Sequence, residues 1–298
     1  MASLSAAFQR PVVRLMGRQI LAADTAERSR AVIDRWSRLF MPPGGVQINS
    51  APVGGVPAVH VTPSELRHGG ALLVLHGGGY IFGSAHGYRA HGARLAKSVG
   101  AFGYVLDYRL APEHPYPAAV DDALAAYDSL LASHPPGKIA FVGDSAGAGL
   151  SIATMYRARD AGLPMPACAV LFCPWFDLTL SGESMQSNDT SELLVPQVVL
   201  SRMADAYSGT TDRTDPGISP LFGTQDGLPP LLMQASRTES LFSDAERFAP
   251  KAKSAGVDVT FDISPDMWHD WQLMAPLVRE SRQAMGQAAQ FISQHFDG

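Results

Sequence analysis

A serine flanked by glycines, a glycine triplet behind a histidine, and a late histidine preceded by acids are the residues here whose types and spacing could do chemistry. Gly143-Asp144-Ser145-Ala146-Gly147 follows the apolar run Ile139–Val142 and precedes the helix-prone stretch Ala148–Arg159. A G-x-S-x-G pentapeptide at a strand-to-helix junction forms a sharp turn, with glycine where a side chain would clash. Ser145 would then stand at a helix N-terminus, where unpaired N–H groups and the helix dipole favour developing negative charge. The chemistry is nucleophilic attack; the plainer alternative is an N-cap serine in a tight turn.

His76-Gly77-Gly78-Gly79-Tyr80 directly follows the apolar run Ala71–Leu75. Three successive glycines cost backbone entropy, and close approach of backbone N–H groups to a substrate oxygen would explain them. A phosphate-cradling loop would need Lys and Ser/Thr that are missing here, and a plain flexible loop is the remaining alternative. Taken with Ser145, this loop points to acyl transfer.

The base for such a serine follows the acid in the chain and lies in the last strand-to-helix loop. Of nine histidines only His269 fits, after Val257–Ile263 and before the helix-prone Trp271–Phe291; His295 falls within or beyond that helix. His76 reads as a structural residue fixing the glycine loop. His60 and His68 precede the sheet core, and His86, His91, His114 and His134 sit upstream of Ser145, as solvated or hydrogen-bonding residues. The acid should come just after Leu231–Gln234, where Glu239 is the first carboxylate. Asp244 is its rival, although it reads equally well as a first-turn acid complementing a helix dipole. Glu239 is preferred, accepting a hydrogen bond from His269 and holding the imidazole in the required tautomer.

These residues must be positioned by strands. Short, nearly continuous apolar runs at Ala71–Leu75, Phe102–Leu106, Ile139–Val142, Ala169–Phe172 and Leu231–Gln234 read as buried parallel strands alternating with helices. Gly45–Ile48 and Val56–Val61 form an antiparallel edge hairpin, and Val257–Ile263 makes an eighth strand with one exposed face. The expectation is α/β, an eight-stranded mostly parallel sheet flanked by helices. Helix-prone residues 1–40 and an insertion at about 178–220 fall outside this rhythm, and the insertion would form a helical cap over the carboxyl ends of the strands. The remaining residues, 41–298, make one catalytic domain.

The composition excludes several classes. With 298 residues, 46% hydrophobic and 17% charged, the chain has ample core for a folded enzyme. The net charge of −5 and the lack of Lys/Arg-rich runs argue against nucleic acid as a partner. Cys168 and Cys173 lie five residues apart in one apolar run, so they point to opposite faces, form no disulfide and serve as small core residues. No Cys/His cluster with metal-ligand spacing is present, and no metal is expected. The first twenty residues lack an apolar signal core and no stretch is long enough to span a membrane, so a cytoplasmic location is expected.

Four separated segments, HGGGY at 76–80, YRLAPEHPYP at 108–117, GDSAG at 143–147, and Glu239 with MWHDW at 267–271, carry a specific resemblance. Over roughly residues 45–295 the chain resembles the hormone-sensitive-lipase-like group of bacterial α/β-hydrolase carboxylesterases. The resemblance implies the α/β-hydrolase fold, a triad of Ser145, Glu239 and His269, and an oxyanion hole from the N–H groups of Gly78, Gly79 and Ala146. It implies that the N-terminal segment joins the cap. One departure is Glu239-Ser240-Leu241, where many members have Asp followed by Pro-Leu; Glu is competent with one more methylene. Arg109, Glu113 and the nearby prolines are assigned to bracing loops beside the site.

The implied function is a serine carboxylesterase hydrolysing short-to-medium-chain esters through an acyl-enzyme, with no cofactor. Its partner would be a small-molecule ester, without stable membrane insertion, and a homodimer is compatible with the resemblance. Tyr80, Asp144, Met203 and Tyr207 are expected at the substrate pocket; Phe8, Trp36 and Phe40, like Met203 and Tyr207, suit pocket lining and cap core equally. Two alternatives stay open: a non-catalytic small-ligand binder of this fold, and a lactone, carbamate or amide hydrolase using the same apparatus.

Overall fold

The unbroken apolar runs become the middle of the sheet in the computed structural model, which describes residues 3–297. Its strands are β1 (Val46–Ser50), β2 (Ala58–Pro63), β3 (Ala71–Leu75), β4 (Phe102–Leu106), β5 (Ile139–Asp144), β6 (Cys168–Phe172), β7 (Leu231–Ser236) and β8 (Val259–Ser264). They form one sheet in the order β1-β2-β4-β3-β5-β6-β7-β8, with β2 antiparallel to both neighbours and the other pairs parallel. Every residue of β3, β5, β6 and β7 is buried, as continuous hydrophobic strands require when helices cover both faces. β8 closes the edge, with Val259 buried and the residues after it partly or fully exposed.

Nine α-helices are formed among the described residues: α1 (Leu4–Ala22), α2 (Ala26–Ser37), α3 (Ala85–Val99), α4 (Ala118–Leu131), α5 (Ala146–Asp160), α6 (Ser184–Ser187), α7 (Gln197–Ser208), α8 (Phe242–Ser254) and α9 (Arg279–Asp297). Side-chain alternation along the strands splits the core into two layers. Leu73, Phe141 and Leu171 pack with α4, α5 and α8, while Leu72, Val74, Val142 and Val170 pack with α3 and α9. Cys168 and Cys173 belong to opposite layers and both are free thiols. The expected helix Trp271–Phe291 is divided instead. A single 3-10 turn, Trp271–Met274, comes first, and the helix restarts at Arg279 beyond Pro276, which has no N–H to donate.

The N-terminal helices are tied to the body by polar contacts. Glu280 in the first turn of α9 accepts from the Ser3 N–H at 2.6 Å and the Ser3 hydroxyl at 2.7 Å. Arg30 of α2 forks onto both carboxylate oxygens of Glu113 at 2.7 Å and also donates to the Ile81 and Ala111 carbonyls. Arg109 holds Asp122 with both backbone and guanidinium N–H groups. The segment Tyr108–Pro117 thus braces loops, as its residues suggest. On α1 the buried face is Ala6, Val13, Gly17 and Ile20; a Cβ on Gly17 would stand 1.7 Å from the Leu193 carbonyl oxygen, so α1 lies directly against the backbone of the insertion. No helix among the described residues is long and apolar enough to cross a membrane.

Candidate active site

Ser145 sits between the last residue of β5 and the first of α5, with φ 51° and ψ −120°. A non-glycine residue adopts this conformation only when its surroundings fix it. The Ser145 N–H donates to the Phe172 carbonyl at 2.8 Å, and its own carbonyl accepts from Trp175, Ala148 and Gly149. The flanking glycines are obligatory for space: a Cβ on Gly143 would lie 2.3 Å from the Gly147 carbonyl oxygen, and one on Gly147 would lie 2.0 Å from that of Leu75. The elbow can therefore form only with the sequence it has.

The glycine loop leaves β3 and turns beside this elbow. Gly78 and Gly79 both have positive φ, and their N–H groups donate to no other described residue. His76 is buried against it, with Nδ1 2.7 Å from the Gly77 carbonyl oxygen and its ring stacked on Tyr108 at 4.3 Å. The Tyr108 hydroxyl donates to the His76 carbonyl at 2.7 Å. Asp144 joins loop to elbow, accepting from the Gly77 N–H at 3.0 Å and from the Tyr88 hydroxyl at 2.7 Å. Burial pushes the Asp144 carboxyl up to about 6, against the pull of those two donors.

The acid and the base come from the loops after β7 and β8. His269 Nδ1 lies 2.6 Å from Glu239 Oε2, and both side chains are buried. Glu239 Oε1 accepts from the Ser236 N–H at 2.7 Å, so the carboxylate is fixed at both oxygens. The two loops are stapled together: Ser236 Oγ and Thr238 Oγ1 donate to the Met267 carbonyl at 2.7 and 2.6 Å, and the Met267 N–H returns a bond to Ser236 Oγ. The insertion holds the acid turn from its other side, with Asn188 donating to the Glu239 carbonyl and Glu192 accepting from the Ser240 N–H. Asp244 does not reach His269. It accepts from the Phe176 and Asp177 N–H groups at 2.8 Å, satisfying backbone beyond β6, and is buried rather than a surface partner of the helix dipole.

One cavity, of about 200 Å³, is lined by Ser145, His269, Gly78 and Gly79. Its remaining wall is mostly apolar and comes from α1, α2 and the residues after it, α3, α7 and the segment around His269, including Val13, Trp36, Phe40, Leu200, Met203 and Trp268. Of the residues expected at the pocket, Met203, Trp36 and Phe40 line it. Tyr80 and Tyr207 are instead stacked on each other at 3.6 Å behind that wall, and Asp144 is occupied with Gly77 and Tyr88. Phe8 faces outward, 84% exposed, and Ala146 lies beneath the cavity at the start of α5. His91 departs from the expectation for upstream histidines: it is buried, its Nε2 has no hydrogen-bond partner, and it reaches the cavity wall.

Two residues near His269 receive no role at the site from the sequence. Cys173 lies just beyond β6 rather than in the strand, at φ 43°, and its sulfur accepts from the Asp270 N–H at 3.3 Å. Asp270 Oδ2 stands 3.2 Å from His269 Nε2. Ligand atoms of Cys173, His269 and Asp270 fall within 4.8 Å of one another. The donor chemistry does not suit a metal, because burial drives the Cys173 thiol far from the thiolate form that ligates one. His269 feels burial, which favours the neutral ring, against Asp270 and Glu239, which together carry it up to about 10.

A sequence profile of the alpha/beta hydrolase fold matches residues 72–273, spanning the glycine loop, the elbow, the acid turn and His269. The chain belongs to this hydrolase family. Within it the hydrolase is similar to an acetyl-hydrolase of Streptomyces hygroscopicus, 41% identical over 271 residues, or 89% of each chain. It is also similar to an esterase of Acinetobacter venetianus, 35% identical over 89% of this chain and 88% of that one. Among solved structures, an esterase from the bacterial hormone-sensitive lipase family superimposes with TM-score 0.94, 35% identity and 99% coverage of both chains. The esterase EstE5, soaked with p-nitrophenyl butyrate, gives TM-score 0.93 at 34% identity over the whole of both chains. The group is the hormone-sensitive-lipase-like one that the four motifs indicate.

Proposed function

We propose that this hydrolase is a serine carboxylesterase whose nucleophile, base and acid are Ser145, His269 and Glu239. The observation that carries the reading is one apolar cavity lined by both Ser145 and His269, with the far nitrogen of His269 held by Glu239 at 2.6 Å. Ser145 attacks the ester carbonyl as His269 Nε2 takes its proton. The N–H groups of Gly78, Gly79 and Ala146 receive the oxyanion; the alcohol departs with a proton from His269, and water then hydrolyses the acyl-enzyme. Glu239 keeps the proton of the resting imidazole on Nδ1 and stabilises the imidazolium formed in each step.

Short-to-medium acyl chains are supported by the size and apolar wall of the cavity. Residues 1–40 and the insertion at about 178–220 act as the cap, since α1, α2 and α7 supply that wall. The proposal extends to a cytoplasmic location, supported by two free buried thiols, and to a homodimer, supported by the exposed Leu4, Phe8 and Leu15 along α1. Hydrolysis of p-nitrophenyl esters from C2 to C12 tests the substrate range, with activity expected to peak at the short end. Ser145→Ala and His269→Ala should each lower kcat by at least three orders of magnitude while leaving the circular dichroism spectrum unchanged. Near-wild-type turnover in either variant rejects the assignment.

A further inference from the structure

His269 carries a carboxyl group at each nitrogen. Glu239 takes Nδ1, as the triad reading requires, and Asp270 Oδ2 stands 3.2 Å from Nε2, the nitrogen that must receive the serine proton. Asp270 has no counterpart in that mechanism. It is nonetheless held in place at a cost: its backbone is left-handed, φ 55° and ψ 36°, fixed by its N–H bond to Cys173 Sγ and by its carbonyl accepting from Leu273. Its Oδ1 is buried with no partner, while Oδ2 approaches Nε2 without the alignment of a hydrogen bond. The arrangement is a charge contact rather than an aligned hydrogen bond.

The ionisable neighbours come from every surrounding loop. Asp144 ends β5, Tyr88 lies on α3, Cys173 follows β6, Glu192 belongs to the insertion and Glu239 to the acid turn. Of this set with His269, only His269 can carry a positive charge. Burial pushes the Asp270 carboxyl up, Asp144 and Glu239 add to that, and the His269 charge opposes it.

We propose that Asp270 is a positioning residue for the esterase reaction, holding His269 as its ion-pair partner in the resting enzyme and thereby setting the pH above which the imidazole can act as base. The carboxylate beside Nε2 favours the imidazolium, which helps when that charge forms during attack but delays its loss beforehand. Nothing is consumed: one proton moves from the pair to solvent as the pH rises, and the neutral ring then accepts the proton of Ser145.

This rests on His269 serving Ser145, which Ser145→Ala and His269→Ala test independently. The experiment here is the pH dependence of kcat/KM with a short p-nitrophenyl ester for wild type, Asp270→Asn and Asp270→Gly. Both replacements tolerate positive φ, and each curve is scaled to its own maximum, so the fraction of folded enzyme drops out. The acidic limb is expected to move down by one unit or more in both variants. At a pH on the wild-type limb, each then retains about tenfold more of its maximum than wild type does. Superposition of either variant on wild type, or a uniform loss of rate with the limb unmoved, overturns the proposal and leaves Asp270 a structural residue.

Discussion

Replacing Glu239 with Gln keeps the volume and changes only what the two ends of the side chain can accept. In the native arrangement Oε1 accepts from the Ser236 N–H at 2.7 Å and Oε2 faces His269 Nδ1 at 2.6 Å, so both positions must be acceptors. Glutamine has one. If its oxygen stays on Ser236, the amide N–H₂ faces Nδ1 and forces the ring proton onto Nε2, the tautomer that cannot take a proton from Ser145. If the amide turns over, two buried donors meet at Ser236, which costs about 1–3 kcal/mol. The first arrangement should prevail, with kcat reduced by about 10³–10⁴-fold, equivalent to about 4–5.5 kcal/mol of barrier. Stability should fall by no more than about 3 kcal/mol, because no cavity opens. Steady-state hydrolysis of p-nitrophenyl butyrate, with urea unfolding on the same preparations, measures both. A Glu239→Gln enzyme within tenfold of wild type in kcat would refute the tautomer argument and with it the role given to Glu239.

Three further outcomes are expected. Gly79→Ala places a methyl 2.1 Å from Met203 Sδ at φ 58°; Met203 can swing aside, but the displaced N–H should lower kcat about 10²–10³-fold, and an unchanged kcat would remove Gly79 from the oxyanion hole. Met203→Ala enlarges the cavity wall and should raise kcat/KM for a hexanoate relative to an acetate ester, with a stability loss of about 2–5 kcal/mol; an unaltered ratio would place the acyl chain elsewhere. His91 is fully buried, and burial, aided by Arg94, lowers its pKa to about 4. The unfolded chain then binds the extra proton, so stability is full above pH 6.5 and is lost as pH falls toward 4, by about 3 kcal/mol in all. Urea midpoints for His91→Leu should lose less over that interval than wild type, and parallel losses would contradict this.

The fold was readable because its signals are local and redundant. β3 and β6 are apolar throughout, β5 and β7 open on apolar runs, and the helices between them are long enough to return the chain. Chain order alone selected Glu239 and His269, and their side chains do meet. The pocket was less legible. Aromatic character marks Tyr80 and Tyr207 as burial candidates without saying which surface they are buried against, and they stack on each other. The place of Cys173 and Asp270 beside His269 was not readable for a related reason: it lies in positive φ and in a contact between residues 97 apart in the chain, which no periodicity records. Asn188 and Glu192 gave no signal because a polar, Ser-rich insertion offers many equivalent side chains, and only the tertiary fold selects two of them to hold the acid turn.

Those two contacts restrict how the insertion can be exchanged. Asn188 and Glu192 belong to the segment that would be swapped in building chimaeras among related hydrolases, yet they terminate backbone groups of the turn carrying Glu239. A graft taken from a relative would change the chamber above Ser145 and also loosen the shelf on which the acid rests. Specificity and catalytic competence are therefore not separable modules in this chain: a transplant of the insertion must bring its own 237–240 turn with it.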